Sequence, residues 1–278
     1  MHEDGDFYSE LIKAVKLDGG ATAPSAAVWA EFSTWRPGTR PVAAKSNAMS
    51  PAVGMTAAKT AKNISSEPEP SALPASDVKK TTSAAAGTAE NLTPDEAWRQ
   101  LEGEAAGCSR CGLRAGCRQV VFGEGCRNAE LMFIGEGPGA EEDAQGRPFV
   151  GPAGQLLDRM IAAMQYRRDE VYIANIVKCR PPGNRIPEPL EAVACSGYLN
   201  RQIELISPKV IVLLGATPLR YMLGISGIKM HRGQWRDYRG IPVMPTFHPA
   251  YLLRTEADKR LAWNDLKMVM ALLGKKRG

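Results

Sequence analysis

Long apolar runs are missing from this 278-residue chain. None reaches the roughly 18 residues that a membrane span requires, so a helical membrane protein is not expected. No secretory leader is expected either, because Met1 to Gly20 is acidic and mixed where such a signal is basic and then apolar. The sequence therefore predicts a cytoplasmic protein. No internal repeat is visible, and no glycine-rich turn ends in the Gly-Lys-Ser/Thr of a nucleotide P-loop. Aromatic residues are scarce at 6%, whereas 27 glycines and 20 prolines assign part of the chain to loops or linkers.

Net charge is small overall, at a formal +5. Its distribution says more. Residues 1–92 hold 9 basic against 10 acidic side chains, residues 93–278 hold 26 against 20, and Arg220 to Gly278 alone holds 12 against 4. An anionic partner would meet the C-terminal third, a merely solvated basic surface being the rival reading. Apolar residues make up 44%, enough for a sizeable core. Six cysteines in a reducing compartment point to metal or cluster ligation and away from disulfides.

From Gly19 to Asn91 the chain is rich in Ala, Ser, Pro, Thr and Lys, without a sustained period. Such a stretch buries too little apolar surface to offset the entropy of ordering. Residues 1–92 are therefore expected to form a largely disordered extension, with a short helix at Phe7 to Leu17. Trp29 and Trp35 are candidates for a segment that docks a replication or repair partner. Order is expected from Thr93, where Thr-Pro-Asp-Glu supplies a capping hydroxyl, a proline at the first helical position and Glu96 three residues on.

Four apolar, partly β-branched runs follow, at Leu131 to Ile134, Val171 to Val177, Lys209 to Leu214 and Ile241 to Phe247, and predict buried strands. Helical patterns at Gly154 to Met164, Pro189 to Ile206, Thr217 to Leu223 and Asp258 to Leu273 alternate with them. This alternation predicts an α/β domain over 93–278, with a central, mostly parallel, four-stranded sheet and helices on both faces. Ligands of such folds sit at the carboxyl ends of the strands.

Cys108 and Cys111 form a C-x2-C pair, and Cys179 and Cys195 stand further along. Four thiolates can hold a 4Fe-4S cluster or a tetrahedral zinc. A zinc ribbon normally repeats its C-x2-C knuckle, and here the second knuckle is missing, so the uneven spacing favours a cluster. Cys117 and Cys126 read as structural or incidental thiols.

Three further motifs stand at predicted strand ends. Gly135-Glu136-Gly137-Pro138-Gly139 runs on towards Arg147-Pro-Phe149-Val-Gly151. Asn175-Ile-Val-Lys-Cys-Arg-Pro-Pro-Gly-Asn-Arg185 contains one of the four cysteines, and His248-Pro-Ala-Tyr-Leu-Leu-Arg254 closes the set. Together with the cysteine spacing they resemble the family 4 uracil-DNA glycosylases over roughly Cys108 to Leu273. That resemblance implies a three-layer α/β/α fold, removal of uracil from DNA to leave an abasic site, and a structural 4Fe-4S cluster on Cys108, Cys111, Cys179 and Cys195. The chain is expected to act as a monomer.

The chemistry of base excision needs what these motifs offer, since a flipped nucleotide requires a stacking ring, polar readers and a wedge. Phe149 matches the stacking ring; an ordinary core phenylalanine is the bland alternative. Asn175 matches the reader, its amide donating to uracil O4 and its carbonyl accepting from N3–H. His248 matches the donor to O2 as negative charge develops on the leaving base, and backbone amides around Gly135 and Gly137 are candidates to share that task. Glu136 stands where a carboxylate could position water or stabilise the sugar cation. Glu141, Glu142 and Asp143 read as a solvated or capping run. Leu252 and Leu253, with Arg254 as phosphate anchor, are wedge candidates for which core packing is the rival; Asn184 and Arg185 are candidate backbone contacts or plain turn residues. An iron-sulfur redox protein and a non-catalytic single-strand DNA binder are the alternatives from other classes.

Overall fold

The computed structural model describes Leu92–Lys275. The extension up to residue 91, with the expected helix at Phe7 to Leu17 and the two tryptophans, lies outside the described residues. Helix α1 (Pro94–Ala106) starts as its sequence predicts. The Glu96 amide donates to the Thr93 hydroxyl at 3.3 Å, and the Thr93 amide donates to Glu96 Oε2 at 2.8 Å, so two otherwise orphaned donors are satisfied reciprocally. There follow α2 (Leu113–Gly116), β1 (Glu124–Gly125), β2 (Leu131–Gly135), α3 (Ala140–Gln145), α4 (Pro152–Ala163), β3 (Tyr172–Asn175), α5 (Pro189–Ile206) and β4 (Val210–Leu214). The chain continues through α6 (Ala216–Leu223), α7 (Ile228–His231), β5 (Arg236–Tyr238), β6 (Ile241–Thr246), α8 (Pro249–Arg254) and α9 (Lys259–Leu272).

The sheet has six strands in the order β1-β3-β2-β4-β6-β5. The four expected strands form its parallel centre, and two antiparallel strands extend the edges. The four-strand expectation missed the edges because β1 and β5 are two and three residues long and carry polar side chains, so neither makes an apolar run.

Each central strand is buried on both faces, and its alternate residues serve different layers. Leu131, Phe133, Ile173, Val210, Val212 and Met244 pack with Leu157 and Ile161 of α4 and Leu266 and Val269 of α9. Met132, Ile134, Tyr172, Ile211 and Leu213 pack on the other side with Trp98 and Leu101 of α1 and Tyr198, Leu199 and Ile203 of α5. The result is three layers, each fully buried aliphatic side chain contributing roughly 1.5–3 kcal/mol by leaving water. No helix among the described residues is long and apolar enough to cross a membrane.

This topology places the motifs. From β2 the chain crosses to β3 on one side, and from β4 to β6 on the other, so the direction of winding reverses between β2 and β4. A crevice opens at such a switch point beyond the carboxyl ends of the strands.

Candidate active site

Gly135 and Asn175 are partners in the β2–β3 register. Beyond the strand ends, the Ile176 amide donates to Gly135 O at 3.0 Å and the Val177 amide to Glu136 O at 3.3 Å. The glycine-rich turn and the Asn175 segment are thereby held side by side. They open into a cavity of about 360 Å³ whose walls include Glu136, Gly137, Phe149, Asn175, Asn184, Arg185 and His248.

Asn175 is 1% exposed, and its Oδ1 is a buried acceptor with no hydrogen-bond partner. Leaving such an atom unpaired costs about 1–3 kcal/mol, a cost that a ligand with an N–H in the right place removes. Gly135 makes the gap in front of it. A Cβ at that position would lie 2.5 Å from Asn175 Oδ1 and 2.5 Å from Phe149 Cζ, so any side chain would fill the slot between reader and ring.

Phe149 is buried, and its φ of 51° is left-handed, a conformation that costs a non-glycine residue roughly 1–2 kcal/mol. Its ring lies 5.6 Å from that of His248 at an interplanar angle of 32°. His248 caps α8, and its Nδ1 accepts the Ala250 amide at 3.1 Å. The ring proton of the neutral imidazole therefore sits on Nε2, which is left to donate. Burial, with a smaller contribution from the Arg254 charge and some opposition from Glu142, pushes the His248 pKa down to about 4, so the ring is neutral at physiological pH.

Glu136 follows β2, and Thr217 lies in the first turn of α6 after β4. The buried Thr217 hydroxyl donates to Glu136 Oε2, a bond that spans the switch point and fixes the carboxylate. Sequence patterns gave Thr217 no role beyond a helix start. Of the solvated-or-capping reading, Glu142 takes the capping half at the start of α3 and reaches beyond it. Its carboxylate accepts the Gly139 amide at 3.0 Å, Val150 at 2.9 Å and Gly151 at 3.1 Å, joining the two loops that wall the cavity. Asp143 is likewise buried and accepts the Arg118 amide at 2.8 Å. Only Glu141 of the three is exposed. A triplet of acids at a helix start carries no sign of which one turns inward.

The rim separates the remaining candidates. Leu252 is 1% exposed and packs with Leu156, Phe247 and Ala262, so its expectation as a wedge is corrected to the rival reading, a core residue; Leu253 is 39% exposed and stays a candidate. Arg254 beside it is exposed. Asn184 Oδ1 accepts Arg180 Nε at 2.7 Å, and the Arg185 guanidinium is engaged with both carboxylate oxygens of Glu191 at 2.8 and 2.7 Å. These bonds stiffen the Pro-rich turn that borders the cavity.

On the α1–α5 side of the sheet, Cys108, Cys111, Cys179 and Cys195 line one pocket together with Arg110, Arg114 and Lys178. Burial pushes the Cys195 thiol up to about 11, with Lys178 opposing, and raises Cys111 and Cys179 as well. The Lys178 amide donates to Cys195 Sγ at 3.3 Å. No three Cys, His, Asp or Glu side chains among the described residues form a group that could hold a single metal ion. Cys117 is buried beside this pocket, its thiol directed at Arg114 O at 3.6 Å and in contact with the Cys179 thiol, and Cys126 is half-buried elsewhere.

Comparison with known proteins matches residues 122–267 to the family model of the uracil DNA glycosylase superfamily. The type-4 uracil-DNA glycosylase of Thermotoga maritima is 44% identical over 173 residues, which span 60% of this chain and 90% of that protein. The type-4 enzyme of Sulfurisphaera tokodaii is 43% identical over 183 residues, spanning 62% and 83%. The type-5 uracil-DNA glycosylase of Pyrobaculum aerophilum is more distant, 32% identical over 143 residues that span 45% of this chain and 63% of that protein.

Proposed function

The chain belongs to the uracil DNA glycosylase superfamily, and from that premise we propose how the groups around its cavity divide the work. It is a uracil-DNA glycosylase, hydrolysing the N-glycosidic bond between uracil and deoxyribose in DNA and leaving an abasic site. The observation that carries our reading of the site is the buried, unpartnered Oδ1 of Asn175. Extruded uracil stacks on Phe149, offers N3–H to Asn175 Oδ1 and accepts the Asn175 amide at O4. Cytosine presents the reverse pattern on that edge and is rejected, because its N3 would face an acceptor.

As the bond breaks, negative charge collects on uracil O2. The neutral His248 donates from Nε2, with the backbone amide of Gly137 beside it, and both interactions strengthen as the base departs. Glu136, held by Thr217, faces the sugar side, where one carboxylate can hold the attacking water and offset the charge of the oxocarbenium-like sugar. Leu253 enters the duplex in place of the extruded nucleotide, and Arg254, Asn184 and Arg185 meet the DNA backbone at the rim.

A 4Fe-4S cluster fits the second pocket: four cysteines surround it, a C-x2-C pair on one wall and two separate elements on the other, with three basic side chains nearby to balance the charge of four thiolates. Such a cluster supplies structural cross-linking, tying the entry to α2, the segment after β3 and helix α5 together. We assign catalysis to residues 93–278 in a chain acting as a monomer in the cytoplasm, and leave residues 1–92 as a tether for a repair or replication partner. The test is a gel assay on a uracil-containing oligonucleotide with the full chain and with a chain beginning at Thr93. Both should leave an alkali-labile site at rates within a few-fold of each other, because terminal tails seldom hold catalytic geometry. A truncated protein that keeps its fold and loses excision would move the boundary.

A further inference from the structure

Phe149 is held in a left-handed conformation that no local sequence signal supports. What holds it lies 19 residues away. Arg168, in the turn before β3, is mostly buried, with its side chain 20% exposed. Its guanidinium donates through Nη1 to Phe149 O at 3.2 Å and through Nη2 to Pro148 O. The same Nη1 donates to Asp158 of α4 at 2.6 Å, and Nε to Glu124 of β1 at 3.3 Å. Two consecutive carbonyls on one guanidinium require the chain to turn at Phe149, and the two carboxylates fix the guanidinium itself. From the opposite side, Gly154 admits the Phe149 carbonyl against α4: a Cβ there would stand 1.9 Å from Phe149 O.

We propose that Arg168 is a positioning residue for base excision, setting the plane of the Phe149 ring by clamping its backbone, without touching the substrate. The proposal rests on the reading of Phe149 as the stacking ring. A ring displaced by as little as about an ångström can lose up to about 100-fold in rate through lost alignment. Lysine at 168 keeps a positive charge for Asp158 and Glu124 but cannot donate in a planar fork to both carbonyls.

The experiment is a double-mutant cycle read in single-turnover excision of uracil from an oligonucleotide, with Arg168→Lys, Arg168→Met and Phe149→Ala, alone and combined. Each Arg168 substitution is expected to slow excision by at least about 10-fold in the wild-type background and by less than about 2-fold in the Phe149→Ala background, since removing the ring removes what is being positioned. The loss in thermal midpoint, in contrast, should be the same in both backgrounds, because the ties to Asp158 and Glu124 persist. Should the methionine variant fail to fold, the charge-keeping lysine variant carries the cycle. Equal fold-losses with and without the ring, or a full rate with lysine, would overturn the clamp while leaving Phe149 its role. A Phe149→Ala enzyme at wild-type rate would remove both.

Discussion

The cavity at the strand ends and the four-cysteine pocket share the segment Asn175 to Cys179, and they are built on opposite terms. The cavity holds about 360 Å³ and contains a buried acceptor without a partner. The cysteine pocket is lined by apolar side chains, thiols and three basic residues, and the backbone N–H between the two sites, that of Lys178, is already committed to Cys195 Sγ. The lysine side chain in turn donates to Asn175 O at 3.1 Å and to Gln202 Oε1 at 2.7 Å. On the reading proposed above, the first site is filled and emptied in each turnover, whereas the second would be filled once by the cluster and would anchor the strand end from which the first works.

The largest effects should come from emptying the permanent site. Protein purified without oxygen should carry about four irons per chain and absorb broadly in the visible. Cys179→Ala should lose that absorption together with cooperative melting, because a missing ligand frees the segment that also carries Asn175. Iron and absorption at wild-type levels in Cys179→Ala, or stoichiometric zinc in the native protein, would break the contrast between the pockets.

Next comes the histidine. His248→Ala should lower the single-turnover rate by about 10²–10³-fold, the usual cost of removing one donor to a developing oxyanion, and leave DNA affinity little changed. Its titration gives a second signature. The folded-state pKa near 4 lies below the ordinary 6.5, so between these values the unfolded chain binds a proton that the folded chain does not. Stability from this group is therefore complete above pH 6.5 and is lost as pH falls towards 4, by up to about 3 kcal/mol. Melting curves should show His248→Ala to be less acid-sensitive than the wild type across that window; an identical acid loss in both would show that the ring is not kept neutral by the fold.

The sequence carried the centre of this comparison better than its borders. The parallel strands were legible because Leu131 to Ile134 and Val210 to Leu214 are continuous apolar runs, and the positions of Asn175 and His248 were legible because the first interrupts such a run and the second directly follows one. The edge strands were not, being too short to show a period. Leu252 and Leu253 are chemically identical neighbours, and only helix α8 lying on α4 decides which one is buried. Thr217 and Arg168 act through partners that sequence distance hides: Thr217 reaches Glu136 across 81 positions, and Arg168 reaches Pro148 across 20 and Glu124 across 44.

The central claim is that the unpartnered Oδ1 of Asn175, with the amide beside it, reads uracil, and Asn175→Asp tests it most directly. An aspartate keeps the acceptors but loses the donor and places charge opposite O4. Single-turnover excision of uracil by a folded, fully loaded Asn175→Asp protein should fall by about 5- to 150-fold, the equivalent of about 1–3 kcal/mol for one lost buried partner, and weak cytosine excision should emerge at low pH, where a protonated carboxyl can donate to cytosine N3. Undiminished uracil excision by that variant would contradict the account, because the buried acceptor would then be facing something other than the base.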